Sequence, residues 1–279
     1  MTDMREIIAI YGATGAQGNA IARSLLQDST EFLVRALTRN PMSDKSQELQ
    51  RLGAELVKAD GFERDEMIAA LQGAHGFWLN TNHHDPALEE HGMTDAELGK
   101  ALISIACEAG VENLIYSTCS SSAKHTKGKI IVEGYESKHE VFQYACHHGS
   151  FKSVIGAIPG WYMENFLSPE YAACFGGFPT QPDANGILSF ASPELGGKGL
   201  VPWLAIGDDF GDMIHGLFRN PQQYHGQTVQ CFTQMTNGAF FGEPNNILPA
   251  KRLKSDGARA RGDHESLTST KEFFVKHFA

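Results

Sequence analysis

The sequence predicts an α/β protein, with a doubly wound parallel sheet followed by a smaller, irregular α+β C-terminal lobe. Three observations predict it. The stretch "IIAIYGATGAQGNAIARSLL" (7–26) runs from an apolar strand-like segment through three glycines into a helix-like one. Short β-rich runs then alternate with amphipathic helical segments as far as residue 157. After Pro159-Gly160 the texture changes to loops rich in glycine, proline and aromatics.

Taken in order, "EIIAIY" (6–11) leads to a helix near 17–27, "FLVRALT" (32–38) to one near 44–52, and "AELVKA" (54–59) to "RDEMIAAL" (64–71). "GFWLNT" (76–81) is followed by a longer helix near 94–109, "ENLIYS" (112–117) by one near 134–147, and "FKSVIGA" (151–157) closes the series. Strands separated by helices need crossover connections, which makes the sheet parallel and covers both its faces. Six such strands fit a Rossmann sheet over residues 1–157. Residues 158–279 then form the smaller lobe, which would close over ligands at the carboxyl edge of the sheet. Within it, the segment from Asn237 to His264 shows few periodic apolar positions and carries Lys251, Arg252, Lys254, Arg259 and Arg261 close together, so an exposed loop is expected there. "LTSTKEFFVKHF" (267–278) reads as a terminal amphipathic helix.

Composition excludes several classes of function. The 279 residues are 42% hydrophobic and 20% charged, in the range of folded globular proteins. Acidic residues outnumber basic ones by 33 to 23, and the net charge of -10 provides no field to collect nucleic acid or anionic lipid. No apolar run approaches the roughly 20 residues that span a bilayer. The start "MTDMREIIAIYG" fits neither a secretory signal nor a transit peptide, so a cytoplasmic location is expected. The five cysteines are scattered, with no C-x-x-C pair, and are expected to be reduced thiols. The pairs His83-His84 and His147-His148 lack the further ligands that a metal needs, and no metal site is expected.

The spacing Gly12-x-x-Gly15-x-x-Gly18 falls between a strand and a helix, where a dinucleotide's phosphate-binding turn belongs. Gly12 permits a tight turn, Gly15 lets the backbone approach a pyrophosphate, and Gly18 lets the helix pack closely on the strand. The free N–H groups and positive dipole end of that helix favour the phosphates. The end of the second strand refines this. A site for NAD places an acid there, on the ribose 2′-hydroxyl, whereas "VRALTRNP" has Thr38, Arg39 and Asn40. Arg39 can fork onto a 2′-phosphate, so NADP(H) is expected over NAD(H).

The opening "GATGAQG", together with "KADGFERDEMIAALQGAHGFWLNTN", "AGVENLIYS", "ESKHEVFQYA", "IPGWYMENF" and "PQQYHGQTVQ" in the same order, resembles the NmrA-like family, an atypical branch of the short-chain dehydrogenase/reductase superfamily, and its fungal-type members in particular. The similarity spans roughly residues 6–233. It implies that Thr14 and Gln17 join the three glycines at the phosphates, that Arg39 meets the 2′-phosphate, and that Asp60 lies near the adenine. Thr81 and Asn82 would line the path to the nicotinamide ribose, which Lys138 would reach from its helix. Pro159, Tyr162 and Asn165 would border the nicotinamide or substrate space.

One departure bears on chemistry. Reductases of the superfamily use Tyr-x-x-x-Lys, which puts both side chains on one helix face. Here the spacing is Tyr135-Glu136-Ser137-Lys138, one residue shorter. Lys138 is therefore the leading catalytic candidate, since in one branch of the superfamily the lysine alone serves as general base. Tyr135 and Thr118, in "YSTCSSS" at the end of the fifth strand, are weaker candidates. The resemblance implies either an NADP(H)-dependent oxidoreductase acting on a small, apolar organic carbonyl, enone or imine, as in secondary metabolism, or a non-catalytic redox sensor that controls a transcription factor or enzyme by protein contact. A sensor could also act in the nucleus.

Overall fold

The computed structural model describes residues 5–28, 30–173, 183–187, 202–232, 239–240, 243–244, 246–259 and 261–278. Its first half alternates strand and helix: β1 (Glu6–Ile10), α1 (Ala16–Gln27), β2 (Phe32–Thr38), α2 (Asp44–Arg51), β3 (Glu55–Lys58), α3 (Arg64–Leu71), β4 (Gly76–Leu79), the short α4 (Ala87–Glu90), α5 (Asp95–Glu108), β5 (Asn113–Ser117), α6 (Ser122–Thr126), α7 (Glu133–His147) and β6 (Ser153–Pro159). Then come β7 (Trp161–Tyr162), a 3-10 turn at Met163–Leu167, α8 (Pro169–Ala173), β8 (Trp203–Leu204), a π-helical turn at Ile206–Phe210, α9 (Gly211–Arg219), β9 (Thr228–Cys231), β10 (Ala239–Phe240), β11 (Glu243–Pro244), α10 (Leu248–Arg259) and α11 (Thr270–Phe278).

The main sheet has the order β3-β2-β1-β4-β5-β6-β9 and is parallel throughout. The chain reverses direction across the sheet between β3 and β4, so β1 and β4 flank the switch point where such folds bind ligands. Burial on both faces explains the near-continuous apolar runs: Ile8, Ala9 and Ile10 in β1, and Leu114, Ile115 and Tyr116 in β5, are fully buried. One core layer packs α1 and α9 on the sheet through Ile21, Leu25, Phe210, Ile214 and Leu217. The opposite layer packs α3, α5 and α7 through Met67, Leu102, Ile103, Val141 and Phe142. Among the described residues no helix is long and apolar enough to cross a membrane.

Two expectations need correction. The sheet has a seventh strand, β9, which pairs with β6 from Gly156↔Thr228 to Pro159↔Cys231, so the sheet draws on both sides of the division expected at residue 157. The stretch expected as an exposed loop also contains α10, a three-turn helix. Its buried face uses Ala250, Leu253, Lys254, Gly257 and Ala258, which carry helical spacing but little hydrophobicity. Part of the remainder, and the loop-rich stretches 174–182 and 188–201, lie outside the described residues.

Helices α1, α9 and α10 meet at backbone distance. A Cβ on Gly211 would lie 2.2 Å from the Ala20 carbonyl, and one on Gly257 2.3 Å from the Asp212 carbonyl. At this contact the Asp212 carboxylate accepts from the Ser24 hydroxyl, the Lys254 ammonium and Arg261 Nη2, each at 2.6 Å. Lys254 also reaches Asp209 at 3.6 Å and donates to the Asp208 carbonyl at 2.7 Å. Burial pushes Asp209 up to about 6, against the pull of Lys254. Removing one partner of a buried cluster strands the others' charges. Asp212→Ala is therefore expected to cost about 3–5 kcal/mol in urea unfolding; a loss below about 1 kcal/mol would mean that water takes over for the carboxylate.

Candidate cofactor cleft and its buried lysine

The glycine turn is built by backbone constraints. Gly12 has φ +69°, and the Gly15 N–H donates to the Gly12 carbonyl at 2.9 Å, closing the turn. A Cβ on Gly18 would lie 2.3 Å from that carbonyl, so only glycine lets α1 start so close to β1. Gly15 is the N-cap of α1, with no side chain to cap the helix, and the first turn holds no acid. The orphan N–H groups of that turn thus remain available to an outside anion.

The turn opens on a cleft of about 760 Å³ at the carboxyl edge of the sheet. Tyr11, Gly12, Thr14 and Gly15 line it together with Arg39, Ser43 and Lys45 from the end of β2 onward and Asn80, Asn82 and Asp85 after β4. Tyr171 of α8 also lines it. Arg39 and Asp85 pair across the mouth at 3.1 Å, with the guanidinium more than half exposed. Burial, with Asp60 adding to it, pushes the Tyr11 phenol up to about 12. Asp60 itself stands one residue beyond the lining Ala59, and its carboxylate accepts from the Phe62 N–H at 3.2 Å. A dinucleotide fits this cleft on three counts: the uncapped helix, the room beside Gly15, and the two cations Arg39 and Lys45 on the rim where β2 ends.

Lys138 lies deeper, on α7. Its ammonium donates to Thr81 Oγ1 at 2.6 Å and to the Thr81 carbonyl, and lies 3.5 Å from both Asn80 Oδ1 and Asp95 Oδ2. The Tyr116 ring centre is 5.6 Å away. Asp95 belongs to the first turn of α5, which Thr94 and Glu97 close with a capping box. Its side chain is fully buried and neither oxygen has a hydrogen-bond partner, so the Lys138 ammonium is its main compensation. Burial pulls Lys138 below the usual lysine range, and Asp95 opposes that pull. The lysine is thus a caged cation with a side chain 12% exposed.

The other expected residues fall as follows. Thr118 is not presented as a catalytic hydroxyl: it is buried, and Oγ1 donates to the Lys138 carbonyl at 3.0 Å, tying β5 to α7. Tyr135 is partly buried, and burial raises its phenol pKa, which opposes the ionisation a proton-relay tyrosine needs. Gln17 does not point to the phosphate side alone, because its Nε2 donates to the Tyr162 phenol at 2.5 Å. That bond holds the segment after β6 against α1, and burial pushes Tyr162 up to about 12. Pro159 ends β6, and Asn165 sits in the 3-10 turn, whose Glu164 carboxylate accepts from the Ile206 and Gly207 N–H groups at 3.0 and 2.9 Å. Thr81 and Asn82 follow β4, Thr81 buried against Lys138 and Asn82 on the cleft wall. Sequence reasoning missed Tyr11, Lys45, Asp85, Asp95 and Tyr171. Lys45 was findable as a second cation six residues beyond Arg39; the others carry no spacing signal.

The NmrA-like family model matches residues 4–239. The chain is 39% identical over 334 aligned positions to the NmrA-like family domain-containing oxidoreductase FrzB of Cladobotryum sp, covering 99% of each. It is 37% identical to the oxidoreductase hkm9 of Aspergillus hancockii, covering 98% of this chain and 97% of that one. Because 334 positions align with a chain of 279 residues, at least 55 positions of the FrzB alignment face no residue here. Among solved structures, NmrA, a negative transcriptional regulator, in complex with NADP gives a TM-score of 0.67 at 21% identity, covering 83% of this chain and 68% of that one. NmrA has also been solved with NAD, at a TM-score of 0.66, 20% identity and the same coverage. Triphenylmethane reductase of Citrobacter sp. complexed with NADP(H) gives 0.56 at 17% identity, covering 80% of this chain and 68% of that one.

Two expectations follow from the cleft. Gly15→Val puts bulk at the helix start, where a Cβ already meets the Gly12 carbonyl at 3.3 Å, and is expected to abolish NADPH binding with the fold retained by circular dichroism; unchanged affinity in calorimetry would refute the phosphate turn. Arg39→Ala should weaken NADPH more than NADH, while Asp85→Asn, which frees Arg39, should tighten NADPH. Equal changes for both cofactors would remove Arg39 from 2′-phosphate recognition.

Proposed function

Because the chain belongs to the NmrA-like family, we propose that it is an NADP(H)-dependent oxidoreductase acting on a small organic carbonyl, enone or imine, as a tailoring step of secondary metabolism. The observation that carries this reading is the cleft, in which an uncapped helix start faces Arg39 and Lys45 across about 760 Å³. Bound NADPH would supply a hydride to the electrophilic carbon of the substrate. The chain's own part is to hold the phosphates at Thr14, Gly15 and the first turn of α1, and to bind the 2′-phosphate with Arg39 and Lys45. Lys138 serves as a fixed positive charge behind Thr81, stabilising developing negative charge and providing the proton that completes reduction. Trp161, Phe166 and Trp203, whose rings meet after β6, would help to exclude water and favour an apolar substrate.

A second reading is favoured by one observation. The ammonium of Lys138 is engaged by Thr81, Asn80 and Asp95, and the usual tyrosine spacing is missing. A caged lysine suits a sensor whose cofactor occupancy biases binding of a regulatory protein partner, rather than a proton donor.

Calorimetry with NADPH, NADP, NADH and NAD, followed by an NADPH-oxidation screen against quinones, enones and imines, separates the two. Tight NADP(H) binding with turnover, and turnover at saturating NADPH reduced at least 100-fold in a folded Lys138→Ala, is the expected outcome. Tight binding without turnover of any compound would favour the sensor.

A further inference from the structure

At the amino-terminal edge of the sheet, remote from the glycine turn, three chemistry-bearing side chains converge that the proposed function does not use. Asp28 caps α1, Glu31 precedes β2, and His215 lies on α9. One ligand atom from each lies within 4.8 Å of the other two. His215 is fully buried, and among the described residues its Nε2 has no hydrogen-bond partner.

The orientation of the imidazole follows from its neighbours. The Ser24 hydroxyl gives its one proton to the Asp212 carboxylate at 2.6 Å and accepts from Arg261 Nη1 at 3.1 Å. His215 Nδ1, 3.2 Å from the same oxygen, can therefore only donate to it. That leaves Nε2 aimed toward Asp28 Oδ2 at 3.8 Å, too far for a hydrogen bond whether or not Nε2 carries a proton. On Asp28 the other oxygen, Oδ1, takes the Thr30 hydroxyl at 2.6 Å and the Thr30 N–H at 3.3 Å, so Oδ2 is the one turned to the histidine. A bare ring nitrogen and a carboxylate oxygen at this separation are matched by a cation between them: ligand atoms of a tetrahedral zinc site lie about 3.4 Å apart.

We propose that Asp28, Glu31 and His215 bind one divalent transition-metal ion of the zinc class, with water in the remaining position. The chain Asp212–Ser24–His215 is its orienting shell, fixing the tautomer as outer carboxylates commonly do for metal-bound histidines. Glu31 is held by Arg219 Nε and Nη2 at 2.9 and 3.0 Å, which sets its position and neutralises one of the two carboxylates. The site thus keeps one net negative charge. A surface hollow bordered by Thr30, Glu31, Phe32 and Arg219 brings solvent as far as Glu31. The ion would clip the turn between α1 and β2 to α9, a structural role independent of the cofactor.

The test uses the full-length protein stripped with a chelator. Titration with Co2+ is expected to give visible d–d absorption saturating at one equivalent, displaced by Zn2+, and Zn2+ is expected to raise the thermal midpoint. His215→Ala would open a core cavity, so Asp28→Asn and Glu31→Gln are the informative variants, with circular dichroism as the fold check. Each should weaken Zn2+ at least tenfold and abolish the rise in midpoint. Affinity unchanged in both variants would put the ion on surface histidines such as the pair at 147 and 148, and would overturn the site. No Co2+ spectrum at millimolar metal would overturn it equally.

Discussion

The contact on which the rest of the molecule depends is the one between α1 and α9, closed by the Asp212 carboxylate. Helix α1 starts at the glycine turn, so its position decides where the uncapped N–H groups of its first turn lie. Gly211 lets α9 touch the α1 backbone, and Ser24 of α1, Lys254 of α10 and Arg261 just beyond α10 converge on Asp212. Such a buried cluster gains little net stability over an apolar equivalent, but breaking it is costly, because Lys254 and Arg261 lose their shared carboxylate in the interior. It therefore specifies one arrangement of α1, α9 and α10.

That arrangement also explains how the C-terminal segment works in a chain aligned with longer relatives. A seventh strand pairs with β6, and α10 packs on α9 through small residues and a buried lysine. The 3-10 turn after β7 is fastened by Glu164 to the N–H groups at 206 and 207, and Tyr162 by Gln17 to α1. The elements beside the cleft are thus tied to the same helix that would hold the phosphates. Lys138 sits in a second polar cluster, where Asp95 and Thr81 fix its ammonium and Thr118 fixes its backbone. The cleft lining and the lysine meet at Asn80, just after β4.

Much of the fold was legible in the order of residues, because a parallel sheet imposes local signals. Buried strands read as short apolar runs, crossover helices show their periodicity, and the glycine turn needs its three residues at fixed spacing. Arg39 was visible as the residue just past the second strand, whereas Lys138 was singled out through the family resemblance, and its place beside Thr81 and Asp95 came only from the structure. The helix at 248–259 was not legible, since a face of alanine, leucine, glycine and a paired lysine lacks the hydrophobicity that marks a core helix. Nor was the tying of the Thr118 hydroxyl to α7, which depends on a helix 20 residues away in sequence.

By itself, then, the sequence determined the class of fold and the place of the glycine turn, because these rest on local backbone geometry and periodicity, and through the resemblance of its motifs the family. The tertiary structure decided what pairs with what: Arg39 with Asp85, Lys138 with Asp95, Asp212 with Lys254 and Arg261, and His215 beside Asp28. The physical reason is that the free energy of a charge depends on burial and on neighbours distant in sequence, so its partner is set only when the sheet brings the elements together.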